Sequence, residues 1–260
     1  MSRRAPLALA CALTALLAAS GASAGETACW FENGAVVVPA EIGGVAGDWL
    51  LDPSAPHTLL HETRAEMEGR PDAFTAGGQV AGQRLEAVPV TVADLDDRAP
   101  GFFTPIAGVI GADLLERFVV DLQFAPCRVR FSRGRAPAFG RARTLSLQRV
   151  DGVLAVQAAI SDDRTARSGL FAVDWGSRAA VRVRDGALRP TVADLDPTAR
   201  NAAPARLRGL SIDGVLYEEQ SAALAPALPA ELTGALGTDF WSRWRVRLDL
   251  AHDRMVLGPR

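Results

Sequence analysis

The chain has 260 residues, with 28 basic and 30 acidic side chains, a formal charge of −2 and 48% hydrophobic residues. That balance excludes the strongly basic surface of a nucleic-acid binder, and every basic residue is Arg, which excludes Schiff-base chemistry on lysine. The three histidines, His57, His61 and His252, have no metal-binding spacing, so no metal site is expected.

The first 24 residues, MSRRAPLALACALTALLAASGASA, set two arginines before an apolar run that ends in Ala-Ser-Ala. This is the layout of a secretory signal over 1–24, with cleavage expected after Ala24 and a mature chain from Gly25. The run is too short and too rich in Ala and Ser for a permanent membrane span. Nothing later offers the ~20 unbroken apolar residues that a span needs. Neither Cys11 nor Cys29 follows a good lipobox, and the G-x-S-x-G match at 21–25 straddles the cleavage point, so it is discarded as a nucleophile elbow. A periplasmic or secreted location means an oxidising compartment, where Cys29 and Cys127 are expected to pair. Two unrelated buried thiols are the alternative.

Next comes an apolar strand that ends in an acid, DWLLDPSA, with Asp52, and then a turn around Gly82 in VAGQRLEAVPV. From Gly108, GVIGADLLERFVVDLQFAPCRVRF reads as a short apolar strand ending at Gly111, one or two helical turns, and two alternating strands joined by a turn. Gly, Pro and Arg crowd the following stretch, SRGRAPAFGRARTLSLQ, and a boundary is placed near residue 140, giving lobes 25–140 and 141–260. The series then repeats. GLFAVDWGSRA ends its apolar run in Asp174, IDGVLYEEQ carries the hairpin signal Asp213-Gly214, and GALGTDFWSRWRVRLDLAHDRMVL starts at Gly234.

The two long segments align without a gap at an offset of 126 residues, matching Gly111 with Gly237, Asp113 with Asp239 and Arg128 with Arg254. From acid to glycine the copies span 59 and 63 residues. A turn acid needs no such framing twice, so Asp52 and Asp174 are the candidate site. The strand pair of the second copy, where the alternation is cleaner, is expected to keep one face wet. Helical signals are short, and the fold class is mainly β with two similar lobes.

This order of strand with Asp, hairpin, apolar-apolar-Gly, short helix and strand pair resembles the retropepsin-like and pepsin-like aspartic peptidases over nearly the whole mature chain. The resemblance implies two β-barrel lobes related by a pseudo-twofold axis in a monomer, with a peptide or protein substrate in the cleft between them. Asp52 and Asp174 would be the catalytic pair, splitting their proton affinities because both cannot ionise cheaply side by side, and such chemistry would require no metal or cofactor. Gly111 and Gly237 would pack beside them, and the hairpins at Gly82 and Gly214, the latter with Tyr217, would be flaps.

Both motifs depart from the family's Asp-Thr/Ser-Gly. The first reads Asp52-Pro53-Ser54, where proline offers neither amide nor hydroxyl. The second reads Asp174-Trp175-Gly176, then Ser177. Ser54 and Ser177 are candidates to hold the carboxylates or to cap turns; Trp175 is a core residue or a pocket wall. His57 reads as a loop group, and Asp113 and Asp239 as acids at helix starts. An exported endopeptidase is the leading expectation, and a catalytically degenerate relative that binds an extended peptide or protein by strand addition is the alternative. A structural or carbohydrate-binding β module comes last, since it needs no paired acids.

Overall fold

The computed structural model of the chain describes residues 24–98, 102–134, 136–162, 164–184, 205–225 and 228–260. The expected signal, apart from Ala24, lies outside the described residues. The first copy builds β1 (Ala24–Ala28), β2 (Trp30–Glu32), β3 (Ala35–Ile42), β4 (Val45–Leu51), β5 (Leu59–His61), α1 (Glu62–Met67), β6 (Ala73–Val80), β7 (Gln83–Ala93), a 3-10 turn at Asp96–Arg98, β8 (Ile106–Ile110), α2 (Ala112–Leu115), β9 (Val119–Phe124) and β10 (Cys127–Ser132). The second builds β11 (Arg143–Val150), β12 (Val153–Ser161), β13 (Ala166–Val173), β14 (Val181–Val183), β15 (Ala205–Ile212), β16 (Val215–Leu224), β17 (Leu232–Leu236), α3 (Thr238–Trp241), β18 (Arg245–Asp249) and β19 (Arg254–Gly258).

The chain is mainly β because apolar residues alternate through short segments punctuated by two-residue turns. Asn33-Gly34, Ala81-Gly82, Asp151-Gly152 and Asp213-Gly214 all have positive φ at both positions, the backbone that lets a tight hairpin match the twist of its strands. Each lobe threads one strand between two others in the same way. β4 runs parallel to β8, which pairs antiparallel with β5; β13 runs parallel to β17, which pairs antiparallel with β14. This crossing brings the C-terminal ends of β4 and β13, and so Asp52 and Asp174, beside the glycines that end β8 and β17.

The lobes join through one sheet in the order β1, β10, β9, β18, β19, β11. At its centre β9 pairs with β18, and Asp121 lies opposite Arg247. These two are repeat equivalents, 126 residues apart, so the pseudo-twofold axis passes between them. Arg247 grips both carboxylate oxygens of Asp121, Nε at 2.5 Å and Nη2 at 2.7 Å, with both side chains buried.

The second copy's strands keep the expected wet face only in part: Arg254 is exposed and Arg245 half-buried, while the centre of the face is closed. Asp121, Arg247 and Asp249 are all under 10% exposed, because the segment joining the lobes folds back over them. Phe139 from that segment stacks on Arg247 with 4.3 Å from guanidinium carbon to ring centroid, and on Arg245 at 4.8 Å. Alternation of polar and apolar residues was read as solvent exposure; the polar side chains instead pair with one another under a cover from outside the repeat.

Cys29 and Cys127 form the expected disulfide, closing a separation of 98 residues beside the β1 and β10 pairing. Reduction, or Cys29→Ala with Cys127→Ala, should lower stability by about 4 kcal/mol in urea unfolding, through the freedom returned to the unfolded chain.

Candidate active site

The two acids meet. Asp52 and Asp174 are 1% and 3% exposed and line one cleft of about 900 Å³ between the lobes. Gly176 separates them: a Cβ at that position would lie 2.8 Å from Asp52 Oδ2 and 3.6 Å from Asp174 Oδ1. No side chain fits there, which is a steric reason for glycine in the second motif.

Each acid is held by the turn that follows its strand, and the two copies do so alike. The Asp52 amide donates to the Ile110 carbonyl and the Asp174 amide to that of Leu236. The amide two residues on then returns to the carboxylate, from Ser54 to Asp52 Oδ1 and from Gly176 to Asp174 Oδ1, each at 2.9 Å. Such Asx turns arise because an Asp side chain reaches the backbone amide two residues on when the chain folds back after the strand. Pro53 is tolerated because its missing amide is not the one the turn uses.

Hydroxyls complete both holders. Ser54 Oγ donates to Asp52 Oδ1 at 2.7 Å, and Ser177 Oγ to Asp174 Oδ2 at 2.5 Å. Trp175 is fully buried core, and backbone and hydroxyl groups tie the two lobes together beside the acids. The Val36 amide donates to the Trp175 carbonyl, the Trp175 amide reaches Asp52 Oδ1 at 3.4 Å, and Thr238 Oγ1 sits 2.5 Å from the Gly34 carbonyl.

Gly111 and Gly237 back the two loops. A Cβ on Gly111 would stand 2.4 Å from the His57 carbonyl oxygen, and one on Gly237 2.2 Å from that of Ala179. Backbone cannot yield as a side-chain tip can. Gly237→Ala should therefore cost about 1–3 kcal/mol in thermal unfolding and displace the Asp174 loop, with Gly111→Ala acting alike on the Asp52 loop.

Asp113 does more than start a helix. It accepts from the Thr58 amide at 3.0 Å and from Thr58 Oγ1 at 2.7 Å, tying α2 to the loop after Asp52. In the other copy, among the described residues, the Asp239 carboxylate has a 3.8 Å contact from Arg178 and a 3.4 Å bond from Ser221. His57 is exposed.

The expected flaps are corrected by strand direction. The last residues of β16, Ala223 and Leu224, line the cleft, while Gly214 precedes its first residue. At ~3.3 Å per residue the turn stands about 30 Å up the strand. Gly82 faces away as well, lining a shallow hollow with Glu26 and Gly47. Tyr217 packs edge-on against Phe240 and Trp244, with ring centroids 5.2 and 5.6 Å away. In the first lobe, Asp97, Arg98 and Phe102, which follow β7, line the cleft.

Two arginines were missed in the sequence. Arg98 Nη1 donates to Asp52 Oδ2 and Arg182 Nη1 to Asp174 Oδ2, both at 2.8 Å. Arg98 ends the 3-10 turn of one copy and Arg182 sits on a strand of the other, so no repeat offset links them. Burial pushes the Asp174 carboxyl up from its ordinary range, and the charge of Asp52 adds to that; Arg182 and the Ser177 hydroxyl oppose it without prevailing. Among the described residues there is no cluster of His, Cys, Asp and Glu able to hold a metal, and no helix long and apolar enough to cross a membrane.

No family model and no curated protein matches the chain. Its structure is similar to the crystal structure of an aspartic proteinase from Irpex lacteus, with a TM-score of 0.61 at 13% identity, covering 91% of this chain and 97% of that one. At that identity the likeness carries the fold alone, and the fold is the two-lobed, mainly β architecture of the pepsin-like aspartic proteinases.

Proposed function

We propose that the protein is an exported aspartic-type endopeptidase of the retropepsin-like and pepsin-like kind, acting as a monomer on extended peptide in the cleft between its lobes. The observation that carries this reading is the meeting of Asp52 and Asp174 across Gly176, each buried and each held by its own Asx turn. The likeness to the aspartic proteinase from Irpex lacteus supports it at the level of fold. A disulfide and the signal-like leader support a periplasmic or secreted location.

The raised affinity of Asp174 for its proton suits it to the acid's part and leaves the base's part to Asp52. Asp52 takes a proton from water as the water oxygen bonds to the scissile carbonyl carbon. Asp174 gives its proton to the carbonyl oxygen, leaving a gem-diol. Return of a hydroxyl proton to Asp174 and passage of the Asp52 proton to the amide nitrogen let the C–N bond break, and the products are one carboxylic acid and one amine.

A second reading has its own support. With an arginine on each acid, the cleft suits a non-catalytic relative that holds an extended peptide or protein partner. Cleavage of an unfolded protein by the mature chain, followed from acid to neutral pH beside Asp52→Asn and Asp174→Asn, separates the two. Hydrolysis lost in both variants supports the peptidase; a folded wild type that binds peptide and never cuts it supports the binder.

A further inference from the structure

Asp52 has two oxygens with different surroundings. Oδ1 already accepts from the Ser54 amide, the Ser54 hydroxyl and the Trp175 amide. Oδ2 lies on the Gly176 side, and with Oδ1 taken it is the oxygen left for a water or a substrate group. Arg98 occupies it at 2.8 Å.

The two arginines are not equivalent in their attachment. Arg182 lies in β14, pinned between β16 and β17, and its contact goes to Asp174 Oδ2, which also takes Ser177. Asp174 Oδ1, on the Gly176 side, stays clear of it. Arg98 ends a single 3-10 turn at the cleft wall, its side chain is 40% exposed, and among the described residues Asp52 is its one side-chain partner. Rotation about its own side-chain bonds frees Asp52 Oδ2 without moving a strand.

We infer that Arg98 is a built-in stopper on the dyad, released when an extended peptide carrying an acidic side chain enters the cleft and takes over the guanidinium. A neutral peptide must separate an ion pair whose carboxylate is 1% exposed. An acidic one exchanges carboxylate for carboxylate, so the cation is never left alone. This rests on the cleft being the peptide site, as proposed above, and deepens it by naming the substrate class. Arg178, with a side chain 77% exposed on the same cleft, adds positive charge along the path. Asp97 opposes it from beside Arg98.

The test uses two hexapeptides in which a hydroxyethylene group replaces the central amide, one with Glu beside it and one with Gln. Binding to the mature wild type and to Arg98→Met is measured by calorimetry, with Arg98→Gln as a second variant and thermal melts to confirm folding. The wild type is expected to bind the Glu peptide roughly tenfold more tightly than the Gln peptide, the penalty for a site closed most of the time. Arg98→Met should bind the Gln peptide roughly tenfold more tightly than the wild type does, and should lose the preference. Equal affinity of wild type and Arg98 variants for the Gln peptide overturns the stopper. Cleavage of the matching amide peptides is followed in parallel. If binding follows the expected pattern and no amide is cut by any form, the stopper stands and the peptidase reading falls.

Discussion

Asp52→Asn or Asp174→Asn is expected to lower kcat for peptide hydrolysis by about 10³–10⁴-fold, and the double substitution by little more than either alone. Asparagine keeps the volume and one acceptor oxygen, so Asx turns and loop positions survive; what goes is the ability to move a proton. Because water activation needs a base and an acid at once, removing one leaves the other without a task. Additive losses would instead mean that the two carboxyls work separately. The same pair gives a pH signature in stability. Asp174 binds its proton more tightly folded than unfolded, so stability falls as pH rises from the ordinary carboxylate range through the raised folded value. Asp174→Asn should flatten that slope, seen in melting temperatures taken across acid pH.

At the lobe junction, Asp121→Ala should cost about 3–5 kcal/mol of unfolding free energy, because it leaves the buried Arg247 guanidinium without its carboxylate. Arg245 lies 3.6 Å from the same carboxylate, but its side chain is 36% exposed and keeps water as a partner, so the loss falls on Arg247. An apolar exchange of both partners, Asp121→Leu with Arg247→Met, should recover most of the loss, since it removes donor and acceptor together. Urea unfolding of the three variants measures this. A loss below about 1 kcal/mol for Asp121→Ala would mean that water reaches the pair and Phe139 does not seal it. The position has a structural logic. Residues 121 and 247 sit at equivalent places in the two copies and face each other across the axis; identical acids there would repel, and Asp against Arg turns a point of self-contact into a fixed pairing of unlike lobes.

The repeat made much of the architecture readable. Asp52 and Asp174, Gly111 and Gly237, and the hairpin turns at Gly82 and Asp213-Gly214 all occur where residue type is dictated locally: acid at a strand end, glycine against backbone, positive φ in a tight turn. Single-chain patterning could not say where a hairpin points, and the flap expectation failed there, because the cleft lies at the far ends of the strands concerned. Nor could it say that a polar strand face would be roofed by Phe139. Arg98 and Arg182 were illegible for a different reason. They come from non-equivalent elements, among 28 arginines, and only the folded chain brings each onto its acid. Ser54 was half readable: the sequence left it to hold the carboxylate or to cap a turn, and it supplies both an amide and a hydroxyl to Asp52.

The joint titration of the two acids is open to direct measurement by carbon-13 NMR, following the Asp174 carboxyl carbon through acid pH in the wild type and in Asp52→Asn. The wild type should show an Asp174 midpoint above the ordinary carboxylate range, and Asp52→Asn should bring it down, since one of the two influences raising it is the neighbouring charge. An Asp174 midpoint that does not move when Asp52 loses its charge would mean that the two carboxyls share a cleft and not a proton.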